Sequence, residues 1–431
     1  MARLSVFDAR LFASLRRHRN YRLYFSGQLV SQIGTWLQNA AQAWLVLDLT
    51  HSATAVGVLS FFLYLPYATF GLIGGALADR WDRQRMMIVT QSAMAVMAAA
   101  LAVVAYLHVD SIVVIDAIAL VRGTIMAFNN PTRQAMMVQL VGRSELPNAI
   151  ALNSSLNNAT RVIGPAVAGV LIASVGVGTC FALNAISFVP VIIALAVMRP
   201  SEFFTQPNRR RTPLLISIRD GLVYARRNKT VAVVLSMLFV ISTVSINFNV
   251  VLPVLARITL HGGAQTYGLI TSMFGLGAFI GAVTAASRAH VSRRLLLWAA
   301  AGFGAAQLLV AIQGTLFGVC LALLATGVCY TLYTSSSNTI VQLAVPPHMQ
   351  GRIAGLYNYV FLSSGPLGSL LAGWLADRGT LWAFFAGGAA ALVMALVGFT
   401  LRPWPMPTGA IPRRHYRRHA RNQILRVRPR G

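Results

Sequence analysis

The chain has almost no lysine and few acids. Lys229 is its only lysine, and Asp and Glu together number 10 among 431 residues. A phosphate-cradling GxxxxGK loop needs glycine before its lysine, and here Asn228 precedes Lys229. Direct use of ATP is therefore excluded. Cysteine is as sparse: Cys180, Cys320 and Cys329 all fall in apolar stretches, as small core residues do. There is no HExxH, no Cys/His cluster and no Ser/His/Asp set, which argues against an enzyme and a bound metal. Gly275 to Gly281 (GLGAFIG) has the wrong spacing for a dinucleotide loop and suits helix packing. Charge overall is low. Only 11% of residues are charged, against about 25% in soluble domains.

What the chain has instead is apolar length. Hydrophobic residues make up 56% and mean hydropathy is +0.64. They gather into twelve segments: 22–48, 53–78, 86–108, 112–138, 151–175, 178–198, 230–256, 265–287, 295–312, 315–344, 353–376 and 380–401. Runs of ~20 apolar residues match the ~30 Å hydrocarbon core of a bilayer. Backbone in hydrocarbon must bond to itself, which leaves helices or a closed barrel. Barrel strands are ~10 residues long and alternate strictly. These segments are longer and do not alternate, so helices are expected. Arg16, Arg17, Arg19 and Arg22 lead into a full-length first span without a small-residue cleavage site, so no signal peptide is expected.

The basic residues set the orientation. Of 36 Lys and Arg residues, 32 lie on the side that carries both termini. Arg122 and Arg161 fall within spans, and Arg257 and Arg378 on the opposite side. The positive-inside rule puts both termini in the cytoplasm of a multi-pass protein, expected in the bacterial inner (plasma) membrane. The same asymmetry accounts for the net charge of +26. The Arg-rich tail, 402–431, reads as a disordered segment near anionic lipid, each Arg worth about 1 kcal/mol there. No nucleic-acid-binding fold accompanies it.

The longest break, 199–229, holds Arg209 to Arg211 and a helix start at Thr212–Pro213. Leu215, Ile218 and Leu222 follow at helical spacing, the pattern of an amphipathic helix on the cytoplasmic leaflet. The chain thus divides into a cytoplasmic segment 1–21, a six-helix bundle 22–198, the loop 199–229, a second bundle 230–401 and the tail 402–431. The halves read as repeats. RVIGPAVAG (Arg161 to Gly169) matches LSSGPLGS (Leu362 to Ser369), and Val138 to Val141 matches Val341 to Ala344. Repeated six-span units are a mark of secondary transporters.

Between spans two and three stands GALADRWDRQR, Gly75 to Arg85. It resembles the signature loop of the major facilitator superfamily, Gly-x-Leu-Ala-Asp-Arg-x-Gly-Arg-Arg/Lys. Gly75, Leu77, Ala78, Asp79, Arg80, Arg83 and Arg85 match, and Asp82 replaces the second glycine. Asn129 to Val141, Glu145 to Gly169 and Phe181 to Phe188 are similar to the drug:proton antiporter branch with its siderophore exporters and macrolide-efflux proteins. The resemblance implies two six-helix bundles rocking around a central cavity, in an all-α polytopic membrane protein of twelve transmembrane helices. It implies a proton gradient as the energy source, no cofactor, and a gating role for the loop. Physically, Asp79 is suited to cap a partner helix and to pair with Arg80 or Arg83. A solvated turn carrying positive-inside charge is the plainer alternative.

In the resemblance, Gly164–Pro165 is typical of exporters. Gly164, Pro165 and Gly169 in span five, with Gly365 and Pro366 in span eleven, form a helix-bend motif: proline removes a backbone bond and glycine allows close approach. Tight packing alone is the alternative. Gln28, Gln32, Thr35, Asn39 and Gln42 make one polar stripe along span one. Lipid would penalise it, so it faces a cavity or polar partners. Asn157, Asn249 and Tyr333 join Gln28, Gln32 and Asn39 as expected cavity-lining residues. A static hydrogen-bond seam competes with that reading.

Arg122 and Arg161 fall near the midplane, with Asp116 one to two turns outside Arg122. Buried charges are costly unless paired, which makes them functional candidates. An Asp116–Arg122 or Asp116–Arg161 pair is one expectation; Asp116 as proton carrier is the other. Two arginines facing one cavity would favour an anionic or catecholate-like substrate. The leading reading is a monomeric, proton-coupled exporter of an amphipathic small molecule, drug or siderophore-like. A symporter importing a nutrient uses the same fold, and a non-transporting scaffold or sensor is the reading from another class. The partners expected are substrate, protons and lipid.

Overall fold

The computed structural model describes residues 13–78, 81–204, 214–288, 291–346 and 349–401. These residues are helical almost throughout. After a short α1 (Ala13–Arg17) come α2 (Arg19–Thr50), α3 (Ala53–Ala78), α4 (Arg83–Tyr106), α5 (Ile112–Val175) and α6 (Val177–Ala196). The second half holds α7 (Leu214–Arg227), α8 (Lys229–Ser245), α9 (Phe248–Val254), α10 (Ala264–Ser287), α11 (Arg293–Ile312), α12 (Leu316–Leu343), α13 (Gln350–Asp377) and α14 (Thr380–Thr400).

Ten helical stretches are long and apolar enough to cross a membrane. Two features reconcile that number with twelve expected spans. The 64-residue α5 is two helices in series, broken at Gly142, whose φ of +70° favours glycine. The Phe204 ring covers that break, and the Phe204 N–H donates to the Gln139 carbonyl at 2.9 Å. α2 spans 32 residues but is too polar to count by hydropathy. The expected loop between spans four and five is therefore helical, its turn made by one backbone angle rather than an irregular segment.

Short polar residues start the helices. Asp82 accepts from Arg85 N–H at 2.7 Å and caps α4, so the residue that departs from the family pattern has a local function. Asn228, Ser292 and Thr315 cap α8, α11 and α12 in the same manner.

Span seven departs from expectation. It was expected as one helix over 230–256; instead α8 ends at Ser245, α9 starts at Phe248, and a π turn covers Leu255–Thr259. Pro253 cannot donate to the helix ladder. Side-chain bonds, local and tertiary, hold the break. Gln307 donates to the Ser245 carbonyl at 3.3 Å, Asn247 to that of Thr243 at 2.7 Å, and the Ser245 hydroxyl to that of Gly387 at 2.7 Å. Broken helices at membrane depth persist where protein groups or a cavity satisfy them.

α2 to α6 form one bundle and α8 to α14 the other. They meet along two seams, α3 on α13 and α5 on α10. Small residues allow each close crossing. A Cβ on Gly57 would lie 2.6 Å from the Ser369 carbonyl oxygen and 3.3 Å from Gly373 Cα. A Cβ on Gly169 would lie 2.9 Å from Gly268 Cα. Membrane helices associate by such van der Waals contact, since lipid is as apolar as leucine. Both crossings lie towards the face opposite the start of α2 and the end of α14, here called the distal face. α7 is tied to the second bundle by Arg352–Asp220 at 2.8 Å and Tyr224 to the Ala344 carbonyl at 3.2 Å.

Candidate substrate cavity and bundle contacts

A cavity of about 170 Å³ lies between the bundles. Its lining comes from both: Trp36, Tyr64 and Arg161 from the first, Asn249, Phe274 and Tyr330 from the second. The broken segment Ile246 to Val250 forms part of the wall, so irregular backbone here borders open space. Asn249 donates to the Tyr64 hydroxyl at 3.1 Å across the interface. Gly365 lies against the Tyr64 ring, where an added Cβ would stand 3.1 Å away.

Arg161 is the one charged residue in this lining. Its guanidinium carbon sits 5.2 Å from the Trp36 ring centroid, 5.7 Å from Tyr330 and 6.0 Å from Phe274. These separations allow cation–π attraction. Gly164 makes the arrangement possible, because a Cβ there would collide with the Trp36 Cβ. Pro165 has no N–H for the Arg161 carbonyl, and the backbone passes Gly275 closely at that point.

Arg122 has a different environment. It is 2% exposed and donates to Asn39 Oδ1 and, at 3.2 Å, to Gln42 Oε1. A small second cavity beside it is lined by Asn39, Gln42 and Asn249 among others. The expected pairing of either arginine with Asp116 is not found. Asp116 is buried, its Oδ1 has no hydrogen-bond partner, and no ion pair among the described residues includes it. For Arg122 geometry explains this: residues six apart on one helix lie on different faces.

The stripe on α2 packs partly as a seam. Gln32 donates to Asn157 Oδ1 at 2.8 Å, whereas Thr35 bonds within its own helix to the Ser31 carbonyl at 2.9 Å; beside the stripe, Asn184 donates to Gln38. Gln28 is buried with its Nε2 unpartnered. Of the six expected lining residues, Asn249 borders the central cavity and Asn39 the smaller one. Gln28, Gln32 and Asn157 border neither. Tyr333 is fully buried. It sits seven residues after Thr326, on the packed side of α12, whereas Tyr330 one turn earlier reaches the cavity.

Polar contacts join the bundles at the distal face. Asp377, the last residue of α13, accepts from Ala53 N–H at 2.5 Å, Thr54 N–H at 3.0 Å and the Ser52 hydroxyl at 3.1 Å. A carboxylate thus caps the N-terminus of α3 from the other bundle. Arg257 pairs with Asp48 at 3.0 Å and lies 5.6 Å from the Trp44 ring, which stacks on Tyr267. Sequence reasoning missed this cluster, although a signal was present. Gly373 to Arg378 reads GWLADR, a second copy of the GxLADR in Gly75 to Arg80. Of the first copy, Asp79 and Arg80 lie outside the described residues. Arg83 reaches the Ala135 carbonyl at 3.5 Å, and Arg85 is exposed.

Comparison with known proteins agrees with this architecture. The family model for transmembrane secretion effectors, a major facilitator group, matches residues 9–427. Macrolide efflux protein A of Streptococcus pyogenes is 24% identical over 89% of this chain and 97% of its own length. The enterobactin exporter of Citrobacter koseri is 29% identical over 92% and 97%. A crystal structure of a nucleoside transporter shares the fold with a TM-score of 0.71 at 13% identity, covering 90% of this chain and 99% of that one. The chain is a membrane transporter rather than an enzyme, and it belongs to the transmembrane secretion effector family of the major facilitator superfamily.

Proposed function

We propose that this transporter is a proton-coupled exporter that moves an amphipathic small molecule out of the cell by alternating access. The observation that carries the reading is the cavity between the bundles, with small-residue crossings and polar contacts joining the bundles on its distal side. Substrate can pass that side only if those contacts part, and each is small enough to part on rocking. The excess of arginine on the terminal side supports termini in the cytoplasm, within the plasma membrane. The distal face is then external, and the state described is closed to the outside. Relatives named as efflux proteins support the outward direction. Asp116 supplies a buried acid for the coupling proton. The protein acts as a monomer, since each chain contains both bundles and the whole cavity.

Transport in inside-out vesicles tests the reading. Substrate should accumulate under an inside-acid gradient and cease to do so with an uncoupler. Accumulation in right-side-out vesicles would favour the importing symporter instead.

A further inference from the structure

The proposal rests on reading the central cavity as the transport site. We propose that Arg161 and its rings bind a planar organic anion, an aromatic carboxylate, as the recognised part of the substrate.

Three observations converge. First, the charge is uncompensated: among the lining residues Arg161 is the only charged one, and no carboxylate faces it. Guanidinium has five N–H donors and no acceptor, and stays protonated. Second, its donors are free. Among the described residues the Arg161 side chain makes no hydrogen bond or ion pair, and its nitrogens are not among the buried polar atoms left unpartnered. They therefore open towards the cavity. Arg122 is the contrast, sealed in and held by Asn39 and Gln42. Third, Trp36, Phe274 and Tyr330 surround the guanidinium with flat apolar surface. Rings of this kind exclude water and stack on a planar ligand, while a bidentate carboxylate meets the guanidinium fork.

Size limits the ligand. A space of about 170 Å³ accommodates a single substituted ring, so a larger substrate would place its anionic head here and extend its body towards an opening. A cation would meet Arg161 with no acid to balance either charge. Of the two arginines expected to select an anion, Arg161 alone is available to it.

The test uses purified full-length protein in detergent and two isosteric probes: salicylate, and uncharged salicylamide. Calorimetric titration should show saturable salicylate binding, with salicylamide at least about tenfold weaker. Arg161→Gln should weaken salicylate by about tenfold or more and leave salicylamide within about twofold, which also reports that the variant is folded. Arg161→Lys should fall between, because it keeps the charge and loses the fork. Equal binding of the two probes, no saturable salicylate binding, or an unchanged titration for Arg161→Gln would each overturn the proposal. So would displacement of salicylate by an equal concentration of chloride, which would mark a site for an inorganic anion only. Counterflow of labelled salicylate in proteoliposomes separates this from the exporter reading. Arg161-dependent binding without transport leaves the anion site and removes that reading; transport with Arg161-independent binding does the reverse.

Discussion

Asp377 and Thr54 belong to different bundles and are joined by a 3.0 Å hydrogen bond from the Thr54 N–H to the Asp377 carboxylate. With Ala53 and Ser52 on the same carboxylate, one side chain holds the start of α3 to the end of α13. A charged acceptor on backbone N–H groups is worth about 1.5–3 kcal/mol. Asp377→Asn keeps the size but leaves one acceptor oxygen and turns an NH₂ towards the donors. The closed distal face should lose about 1–2 kcal/mol, a shift of roughly 5- to 30-fold in the closed-to-open ratio. In a cysteine-free background, Ser60→Cys in the cavity wall should then react faster with an impermeant maleimide added from outside. An unchanged rate would show that Asp377 does not hold the face shut.

The neighbouring pair Asp48–Arg257 should matter less. Both side chains are about half exposed, at 52% and 43%. Exposed ion pairs contribute about 0.2–1 kcal/mol. A double-mutant cycle with Asp48→Asn and Arg257→Gln, read by the same maleimide rate, should give a coupling below about 1 kcal/mol that shrinks in high salt. A coupling above that of Asp377 with its partners would reverse the ranking.

The two Gly–Pro elements should differ under substitution. Gly164→Ala drives a Cβ into the Trp36 Cβ, where two helix backbones must separate. Overpacking of this kind costs about 1–3 kcal/mol, and Trp36 should move from Arg161. Gly365→Ala meets Tyr64 Cγ, Cβ and Cδ2 at 3.1–3.3 Å, a contact that a shift of a few tenths of an ångström relieves. The unfolding temperature in detergent should therefore fall clearly for the first and little for the second. Equal effects would mean the repeats are structurally equivalent, which their surroundings deny.

Much of this architecture was legible because membrane helices carry their own backbone bonds, so length and apolarity suffice to locate them. The polar stripe of α2 was legible as a stripe, but not its partners. Gln32 turns to Asn157, and Asn39 and Gln42 to Arg122, on a helix far away in sequence. The break after Ser245 was hidden for the same reason: Gln307 and Gly387 stabilise it from α11 and α14. The ring cage needs four helices, α2, α5, α10 and α12, and no local pattern announces Trp36 or Phe274 beside Arg161. Asp377 was within reach, since it repeats the motif around Asp79.

The arginines should separate by readout. Arg122→Gln strands the Asn39 and Gln42 oxygens in a buried site, and each unsatisfied group costs about 1–3 kcal/mol. Thermal stability should fall. Arg161→Gln removes a charge that faces the cavity and holds no hydrogen bond, so stability should change by less than about 1 kcal/mol while anion binding weakens. A large loss of stability for Arg161→Gln would assign it a structural role.

Coupling is the last expectation. Asp116 lies about one turn inside the distal end of α5, buried, with Oδ1 free of any hydrogen bond. An acid in that condition can take up a proton without breaking an existing contact. It can also give one up if rocking admits water or a donor. Asp48 and Asp377 are committed to bundle contacts, so neither is free in the same way. Asp116→Asn should abolish accumulation driven by a pH gradient and retain downhill exchange of substrate, because the cavity at Arg161 is left intact. Both rates are measurable in one proteoliposome preparation with and without the gradient. If the variant still concentrates substrate, the proton travels by another acid, and Asp79→Asn becomes the next variant to assay.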